Sequence, residues 1–342
     1  MSVEVAKLAV DYVLDNPRLF PEDFVVLDFI GGEPLLEIGL IHAIVDYAVR
    51  QMHIKQHKWI NAYQIRITTN GLLYSSFDVQ QFIHKYRKHI NISISIDGTK
   101  EKNDINRIFP NGYGSYDRII DNVKLWKKQF KDIGTKMVIS HEDVAYVFES
   151  AKHLLDLGIN KLDMNTVVED VWAEGDDLIF EKQLISLADY VVDNRLYYDK
   201  ELYIFEEGIG HPVNKASSSP CGSMLLAIDA SGNFYTCLRF AKFSLREKQM
   251  RTIGNVYDGI DLNKLRPYIA IGHDSISNQK CMNCDVASGC KWCPAENYDA
   301  SETGTLFQRA IAVCKMHKAR VRVKNYYWNR IYNIEENRQW KI

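Results

Sequence analysis

All seven cysteines of this 342-residue chain lie between Cys221 and Cys314, and their spacing is typical of a metal-binding segment. Their order is C-x10-G-x4-C, a gap, C-x2-C-x5-C-x2-C, a second gap, and a final cysteine. Thiolates are soft, polarisable ligands, so the pattern suits iron-sulfur clusters or zinc rather than magnesium or calcium. Because seven ligands exceed one tetrahedral site, two metal centres are expected.

Three other roles for the cysteines compete with a metal cluster. Disulfides are typical of exported proteins, but residues 1–20 carry acids and lack the basic start, apolar run and cleavage site of a signal peptide. Ordinary buried thiols do not usually crowd together at C-x2-C spacing. Structural zinc stays open on the cysteines alone, because C-x2-C pairs are its commonest signature.

The composition sets broad limits on the class of protein. With 46% hydrophobic and 25% charged residues, the chain can bury a sizeable core and is expected to form one large and one smaller domain. A net charge of -2 gives no general attraction to nucleic acid or to an anionic membrane. No apolar stretch is long enough to span a bilayer, so a soluble, cytoplasmic protein is expected.

Residues 1 to about 200 alternate short β-rich runs with longer helical patterns. A helix is predicted over residues 3–14, with Ser2 as its cap. Strands, each followed by a helix, are predicted at residues 25–30, 65–69, 92–97, 136–140 and 161–166. Five strand-then-helix units indicate an α/β fold with a parallel sheet, open or curled into part of a barrel. The opening helix is the exception, because no strand precedes it.

Small and polar residues follow the first predicted strand, where α/β proteins place their ligands. They are Gly31, Gly32, Glu33 and Pro34. The two glycines let the backbone approach a ligand and present N–H groups to a carboxylate, while Glu33 could hold an ammonium. The segment therefore fits the α-amino and α-carboxylate groups of an amino-acid-like ligand.

Similar residues end the following strands. Thr69, Asn70 and Gly71 end the second strand, Ser95 to Gly98 (with Asp97) end the third, and Asn165 lies in the fifth. Asn-Gly and Asp-Gly are also common turn formers, so any one of these endings can be only a turn. Such endings on successive strands of one sheet favour a shared ligand site.

Taken together, the GGEP segment, these strand ends and the cysteine array resemble the radical S-adenosylmethionine (SAM) enzymes that carry a SPASM domain, particularly the maturases of ribosomally made peptides. The resemblance spans nearly the whole chain and favours iron-sulfur clusters over zinc. It implies a partial (βα) barrel of the radical SAM type that lacks its first strand, followed by a small Cys-rich SPASM domain. The expected divisions are residues 1–205 for the barrel, 206–320 for the SPASM domain and 321–342 for a C-terminal helix.

The resemblance also implies a SAM site and two auxiliary [4Fe-4S] clusters. The SAM site would comprise Gly31, Gly32, Glu33, Pro34, Thr69, Asn70, Ser95, Asp97 and Asn165, with Glu33 positioning the methionyl amine and Asn165 meeting the ribose or carboxylate. Auxiliary cluster I would be held by Cys221, Cys237 and Cys293, and auxiliary cluster II by Cys281, Cys284, Cys290 and Cys314. Cluster I then has three cysteines, so its fourth iron is open, where it could bind a substrate thiolate, or takes another ligand. The interval between Cys290 and Cys293 is C-x2-C, which is one residue shorter than the C-x3-C that is usual in the family.

The chain departs from the family in one respect that matters for chemistry. It has no C-x3-C-x2-C motif, whose three thiolates hold the cluster that reduces SAM in the family. Taken with the unpaired opening helix, this leads us to expect truncation rather than evolved loss. The chain as written is therefore predicted not to generate a radical, and a third [4Fe-4S] cluster is expected only in a full-length form.

The function implied by the resemblance is modification of a small, cysteine-containing precursor peptide by an oxidoreductase. In the family, one-electron cleavage of SAM yields a 5'-deoxyadenosyl radical that abstracts hydrogen from the bound peptide. A thioether cross-link is preferred over sulfatase-type formylglycine formation or a carbon-carbon cross-link, with flavodoxin or ferredoxin as reductant. The alternative is a non-catalytic cluster-bearing scaffold that binds the peptide or relays electrons.

Several isolated features have simpler interpretations. Lys136 and Arg107 could meet a carboxylate, but lone basic residues after strands are usually solvated or structural. The basic, aromatic run at residues 316–330 could bind a leader peptide, although packing on the outer helices is favoured. His317 could complete cluster I, but its spacing places it on the cluster II loop.

Overall fold

The computed structural model describes residues 1–213 and 225–339, and Cys221 lies outside them. The described chain is a mixed α/β fold with parallel sheets. Its strands are β1 (Val25–Phe29), β2 (Tyr63–Thr69), β3 (Ile90–Ile94), β4 (Gly134–Ile139), β5 (Lys161–Thr166), β6 (Glu201–Leu202), β7 (Ala227–Ile228), β8 (Asn233–Tyr235), β9 (Gly254–Asn255) and β10 (Gly259–Ile260).

Helices surround the sheets and connect their strands. They are α1 (Val3–Asp15), α2 (Ile38–Ile54), α3 (Phe77–Lys85), α4 (Lys100–Asn106), α5 (Tyr116–Gln129), α6 (Val147–Asp156), α7 (Asp176–Asp193), α8 (Leu262–Ala270), α9 (His273–Ile276), α10 (Gln279–Met282), α11 (Pro294–Ala300) and α12 (Cys314–Gln339). None of the described helices is long and apolar enough to cross a membrane.

The two larger sheets are parallel, as the strand-then-helix alternation predicted. Their strand orders are β1-β2-β3 and β4-β5-β6. All five predicted strands are observed in the predicted order, and β5 has the predicted bounds. The third strand ends at Ile94 rather than at residue 97, because Asp97 already belongs to a turn in which its N–H donates to Asn103 Oδ1.

Side-chain hydroxyl groups join the two parallel sheets where β3 lies beside β4. Ser93 Oγ donates to the carbonyl oxygen of Gly134 at 2.7 Å, and Thr135 Oγ1 donates to that of Ile94 at 2.7 Å. These bonds satisfy backbone acceptors at edges that would otherwise lack partners. The carboxyl ends of five parallel strands, β1 to β5, are thereby held together.

The period of two along each strand separates an apolar face from a charged one. On β4 and β5, residues such as Met137 and Leu162 are fully buried against the helices. The opposite face carries Lys136 and Asp163, which stand opposite each other in the register. Lys136 also acts electrostatically on Asp28 of β1, so charged side chains of both sheets face a common interior.

Helix α1 connects the large core to the smaller one. Ser2 caps it as predicted, with its Oγ accepting the N–H of Val5. One side packs on α2, where Tyr47 donates to Asp11. On the other side, the ring of Tyr12 packs on Phe234 and its hydroxyl accepts the N–H of Ile260 in the small sheet. The helix without a preceding strand therefore has partners on both sides.

The small antiparallel sheet, ordered β10-β9-β8-β7, and the short helices around it form the second core. The last helix, α12, begins at Cys314 and packs along α7. Arg322 pairs with Glu181, and Arg330 pairs with Asp189 at 2.5 Å. The basic, aromatic run therefore packs on an outer helix, which was the favoured alternative.

Gly98 in the turn after β3 is predicted to be essential for stability. Its φ is +135°, and a Cβ there would overlap the side chain of Ser150. We expect Gly98→Ala to lower the free energy of unfolding by about 2–4 kcal/mol, measured by urea denaturation. Gly39→Ala is the control, because a Cβ at this helical position meets nothing within 4 Å. Equal stability of the two variants would contradict the prediction.

Candidate functional site

The carboxylate of Glu33 ties the first two strand ends together. Its Oε1 accepts hydrogen bonds from Thr69 Oγ1 at 2.6 Å and from the N–H of Leu35 at 3.0 Å. Its Oε2 accepts the N–H of Asn70 at 2.7 Å. The GGEP segment and the Thr-Asn-Gly segment thus form one polar unit, although the sequence separates them by about 37 residues.

The two glycines before Glu33 are exposed, and the protein itself does not require them to be glycine. A Cβ at Gly31 or Gly32 would meet no atom within 4 Å, and neither residue has a positive φ. Glycine at such positions leaves the backbone open to close approach by another molecule. The segment therefore remains compatible with the predicted ligand, and its binding role stays a prediction.

The third strand end is built differently from the first two. Ser95 donates its N–H to the carbonyl oxygen of Thr69 at 2.8 Å. Asp97 is buried, and its oxygens accept Arg107 Nε at 2.6 Å and the N–H of Val138 at 3.0 Å. Asp97 therefore connects the end of β3 to β4, and Arg107 neutralises it rather than meeting a ligand.

Three cysteines act electrostatically on a fourth, Cys290, near the start of α12. Burial raises the pKa of the Cys290 thiol, the guanidinium of Arg309 opposes that rise, and Cys314, Cys281 and Cys284 add to it. These are the four residues predicted for auxiliary cluster II. Cys314, which is 24 positions away in sequence, is thus close enough to Cys290 to act on its thiol.

A second group forms around Cys293. Burial raises the pKa of its thiol, the Arg239 guanidinium opposes the rise, and Cys237 contributes to it. Cys237 and Cys293 are two of the three residues predicted for auxiliary cluster I, while the third, Cys221, lies outside the described residues. The six cysteines that the structure describes are free thiols; their division into two sets of cluster ligands stays a prediction.

The buried guanidinium of Arg309 lies beside the cysteine group that contains Cys290. Arg309 is 9% exposed and donates to His273 Nδ1 at 3.1 Å, to Ser277 Oγ at 3.3 Å and to the carbonyl oxygen of Cys290 at 3.3 Å. None of these acceptors is a carboxylate, and burial and Arg309 lower the pKa of His273. A buried guanidinium requires a counter-charge, and thiolates on the adjacent cysteines would supply one.

No three His, Cys, Asp or Glu side chains within the described ranges lie close enough to hold a single metal ion. An iron-sulfur cluster makes a different demand, because each thiolate binds its own iron. Four neighbouring cysteines with a buried cation beside them fit such an anionic group. These residues therefore suit the cluster that the resemblance implies.

Lys291 is a site residue that the sequence analysis missed. It lies between Cys290 and Cys293, and its Nζ donates to Asn165 Oδ1 on β5 at 2.6 Å. Burial lowers its pKa to about 8, Asp163 opposes that effect, and Arg320 and Lys136 reinforce it. The only signal in the sequence is a lysine inside a C-x2-C loop, and a lysine in such a loop is usually solvated. The fold instead places this loop on the strand ends.

Two other candidates have structural partners. His317 donates from Nε2 to the carbonyl oxygen of Val286 at 2.5 Å, in the loop between Cys284 and Cys290. As its spacing indicated, His317 therefore lies on the loop predicted for auxiliary cluster II. It does not lie beside Cys293. Arg239 near Cys293 pairs with Glu169, in the segment after β5, and with Glu296.

Comparisons of sequence give limited information. No protein-family model matches the chain. It is 30% identical over 164 residues to an uncharacterized protein of Methanocaldococcus jannaschii, and the match covers 47% of this chain and 51% of the relative. The chain thus spans about half the length of the curated relative that it matches.

Comparisons of structure show the fold. The chain is similar to anSMEcpe, a radical SAM/SPASM anaerobic sulfatase-maturating enzyme, with bound AdoMet (TM-score 0.73, 18% identity, 98% of this chain and 91% of the other). The same enzyme with AdoMet and the Cp18Cys peptide gives a TM-score of 0.71 at 19% identity and the same coverage. Streptococcus suis SuiB bound to its precursor peptide SuiA gives a TM-score of 0.55 at 16% identity, and the match covers 92% of this chain and 69% of the SuiB chain. The predicted resemblance to this class of enzymes is confirmed for the fold.

The Glu33 unit is predicted to hold the first two strand ends in place. We expect Glu33→Ala to lower the free energy of unfolding by about 2–3 kcal/mol, because a charged acceptor of three hydrogen bonds is lost. Glu37→Ala is the matched control, since Glu37 is exposed in the same short turn. Urea denaturation of both variants is the measurement, and a Glu33→Ala variant as stable as the control would refute the tie.

Proposed function

We propose that this chain belongs to the radical SAM enzymes with a SPASM domain and that it takes part in modifying a cysteine-containing ribosomal peptide. The fold likeness to anSMEcpe and SuiB supports a peptide-modifying enzyme of this class. Two of the similar structures hold a bound peptide, Cp18Cys in one and SuiA in the other. A small precursor peptide is the partner that we infer for this chain.

Within this proposal, the two parallel sheets are a partial (βα) barrel and the Cys-rich part is a SPASM domain. The joined edges of β3 and β4 and the action of Lys136 on Asp28 across the interior support the curled sheet. The division into residues 1–205, 206–320 and 321–342 is kept as part of the proposal. Helix α12 crosses the second boundary. The helix begins at Cys314, which is also a predicted cluster ligand of the SPASM domain.

The observation that carries the proposal is the arrangement of Cys281, Cys284, Cys290 and Cys314 beside buried Arg309. With four neutral thiols, the described residues would give the guanidinium hydrogen-bond acceptors but no ion pair, and burial of a charge without an opposite charge costs free energy. Thiolates on an iron-sulfur cluster remove that cost, and the cation in turn stabilises the charged cluster. This reasoning supports one auxiliary [4Fe-4S] cluster on the group containing Cys290, and the resemblance adds a second on the group containing Cys293.

The residues at the strand ends would hold SAM. Glu33 is fixed by Thr69 and Asn70, so its remaining lone pairs and the open backbone of Gly31 and Gly32 are preorganised for an ammonium and a carboxylate. When bound, SAM and a reduced cluster supply a radical that abstracts hydrogen. The protein orients one C–H bond and excludes water, which the Cys-rich part does by lying over the strand ends through Lys291 and Arg239.

Two reactions on a cysteine-containing peptide remain candidates. A thioether cross-link is favoured by the three-cysteine set predicted for cluster I, whose fourth iron could bind a substrate thiolate. Oxidation of a cysteine to formylglycine, as in sulfatase maturation, is favoured by the higher TM-score to anSMEcpe. Mass spectrometry separates them, because the thioether keeps its sulfur and loses only two hydrogens, whereas formylglycine loses two hydrogens and also exchanges its sulfur for an oxygen from water.

A non-catalytic scaffold that binds the peptide or relays electrons is the alternative from another class. The 342 residues contain no cysteine before Cys221, so thiolates for a SAM-reducing cluster would have to come from outside this sequence. Cytoplasmic location and a flavodoxin or ferredoxin as electron donor remain part of the enzyme proposal.

Iron content tests the two cysteine groups separately. After anaerobic reconstitution we expect about eight iron atoms per chain, falling to about four in Cys281→Ser and in Cys237→Ser. Colorimetric iron and sulfide assays with electron paramagnetic resonance spectra are the measurement.

The substitution Ser288→Ala on the same loop is the control, because Ser288 contacts the backbone N–H of His211 and is not a predicted ligand. A colourless protein that holds one equivalent of zinc would overturn the proposal.

The missing motif gives a second prediction for this chain. The reconstituted protein should bind SAM but release no 5'-deoxyadenosine with dithionite, because no thiolate set for the reducing cluster is present. Liquid chromatography with mass detection is the measurement. Catalytic release of 5'-deoxyadenosine by these 342 residues would contradict it.

A further inference from the structure

Lys291 lies where the cysteine segment meets the strand ends. It sits between Cys290 and Cys293, one from each cysteine group, and its ammonium reaches Asn165 Oδ1 on β5 at 2.6 Å. The side chain is half-buried. A lysine that is directed inward from a metal-binding loop, instead of outward into solvent, needs an explanation, since burying an ammonium costs free energy.

Hydrogen-bond donors outnumber acceptors around this ammonium. Asn165 uses its Oδ1 to accept from Lys291, and its Nδ2 is buried with no acceptor among the described residues. Lys136 projects from the same face of the sheet, and its Nζ is 3.8 Å from Asp163 Oδ2 in a largely exposed pair. Lys291 Nζ and Asn165 Nδ2 thus belong to one polar cluster, and Lys136 and Asp163 act on Lys291 from the same face of the sheet.

The charges near Lys291 are also unbalanced. Arg320 and Lys136 act on Lys291 as cations, and Asp163 acts as an anion. Glu206 and Asp163 are the anions that act on Arg320. Leaving aside the cysteines, which would carry the clusters of the proposed function, three cations face two carboxylates. Asp28 and Arg66, farther along the interior, pair with each other at 3.7 Å and cancel.

We propose that Lys291, Asn165 and Lys136 form a site for one carboxylate, and that this carboxylate belongs to an acidic residue of the substrate peptide. A carboxylate supplies a negative charge for the ammonium and two oxygen acceptors, one of them for the buried Asn165 Nδ2. This proposal rests on the proposed function, because it names a feature of the same peptide substrate.

The position of the site distinguishes the peptide from the cofactor. The glycine segment and Glu33 lie at the ends of β1 and β2, in the first sheet, while Asn165 lies at the end of β5, in the second. Lys291 is carried there by the Cys290–Cys293 loop. A peptide whose cysteine meets the cluster predicted on Cys293 would place neighbouring residues within reach of this ammonium.

The test compares peptides that differ by one charge. Two pools of capped peptides are used. In one pool a single glutamate stands one to four residues before or after a cysteine, and in the other pool a glutamine replaces that glutamate. Equilibrium dialysis against the anaerobically reconstituted full chain, read by mass spectrometry, measures the retention of each peptide. At one spacing or more, the glutamate peptide should be retained about tenfold better than its glutamine counterpart, as expected for a charge-assisted hydrogen bond.

Variants assign that preference to the site. Lys291→Met should abolish it and Lys291→Arg should keep it. Asn165→Asp should also abolish it, since a built-in carboxylate would neutralise the lysine without removing it. Lys264→Met is the matched control, because this lysine is exposed on α8 and should leave the preference unchanged.

Every outcome decides the question. Equal retention of both pools by the unmodified chain, or retention of neither, overturns the carboxylate site. If Lys291→Met weakens retention of SAM and leaves the peptides unaffected, the ammonium serves the cofactor instead, and the proposal is wrong. Iron is measured on the same samples, so absence of iron would reject the proposed function independently of the peptide result.

Discussion

Positive charge that is buried next to thiols is the constraint on which the rest of this structure depends. A guanidinium or an ammonium cannot be taken out of water without an anion or several good acceptors nearby. Arg309 donates to His273 and to the carbonyl oxygen of Cys290, and Lys291 donates to an amide oxygen. Metal-bound thiolates would supply negative charge beside Arg309, and the carboxylate proposed for the peptide would supply it beside Lys291.

The same loops determine how the two halves of the chain meet. Arg239, two residues after Cys237, pairs with Glu169 in the segment after β5, and Lys291 reaches Asn165 on β5 itself. Both contacts join a cysteine-containing loop to the carboxyl end of β5 in the second sheet. Loops that hold a metal centre are stiffened by it, so these contacts would place a rigid surface above the polar ends of the strands.

Polar groups on the strands serve two distinct purposes. Glu33, Thr69 and Asn70 form a unit that fixes the loops while the glycines beside it stay accessible. Asp97, which looked equivalent in the sequence, is buried and fully engaged by Arg107 and the backbone of Val138. Similar strand-end residues thus divide into those that shape the site and those that join one strand to the next.

The sequence alone was sufficient for the five strands, the capped first helix and the parallel pairing of the strands. These features follow from local rules, namely residue periodicity and capping. The tertiary structure decided which polar residues meet, because the partners of Lys291, Asp97 and Tyr12 lie 126, 41 and 248 positions away. Such pairings depend on how whole elements pack, and no local pattern records them.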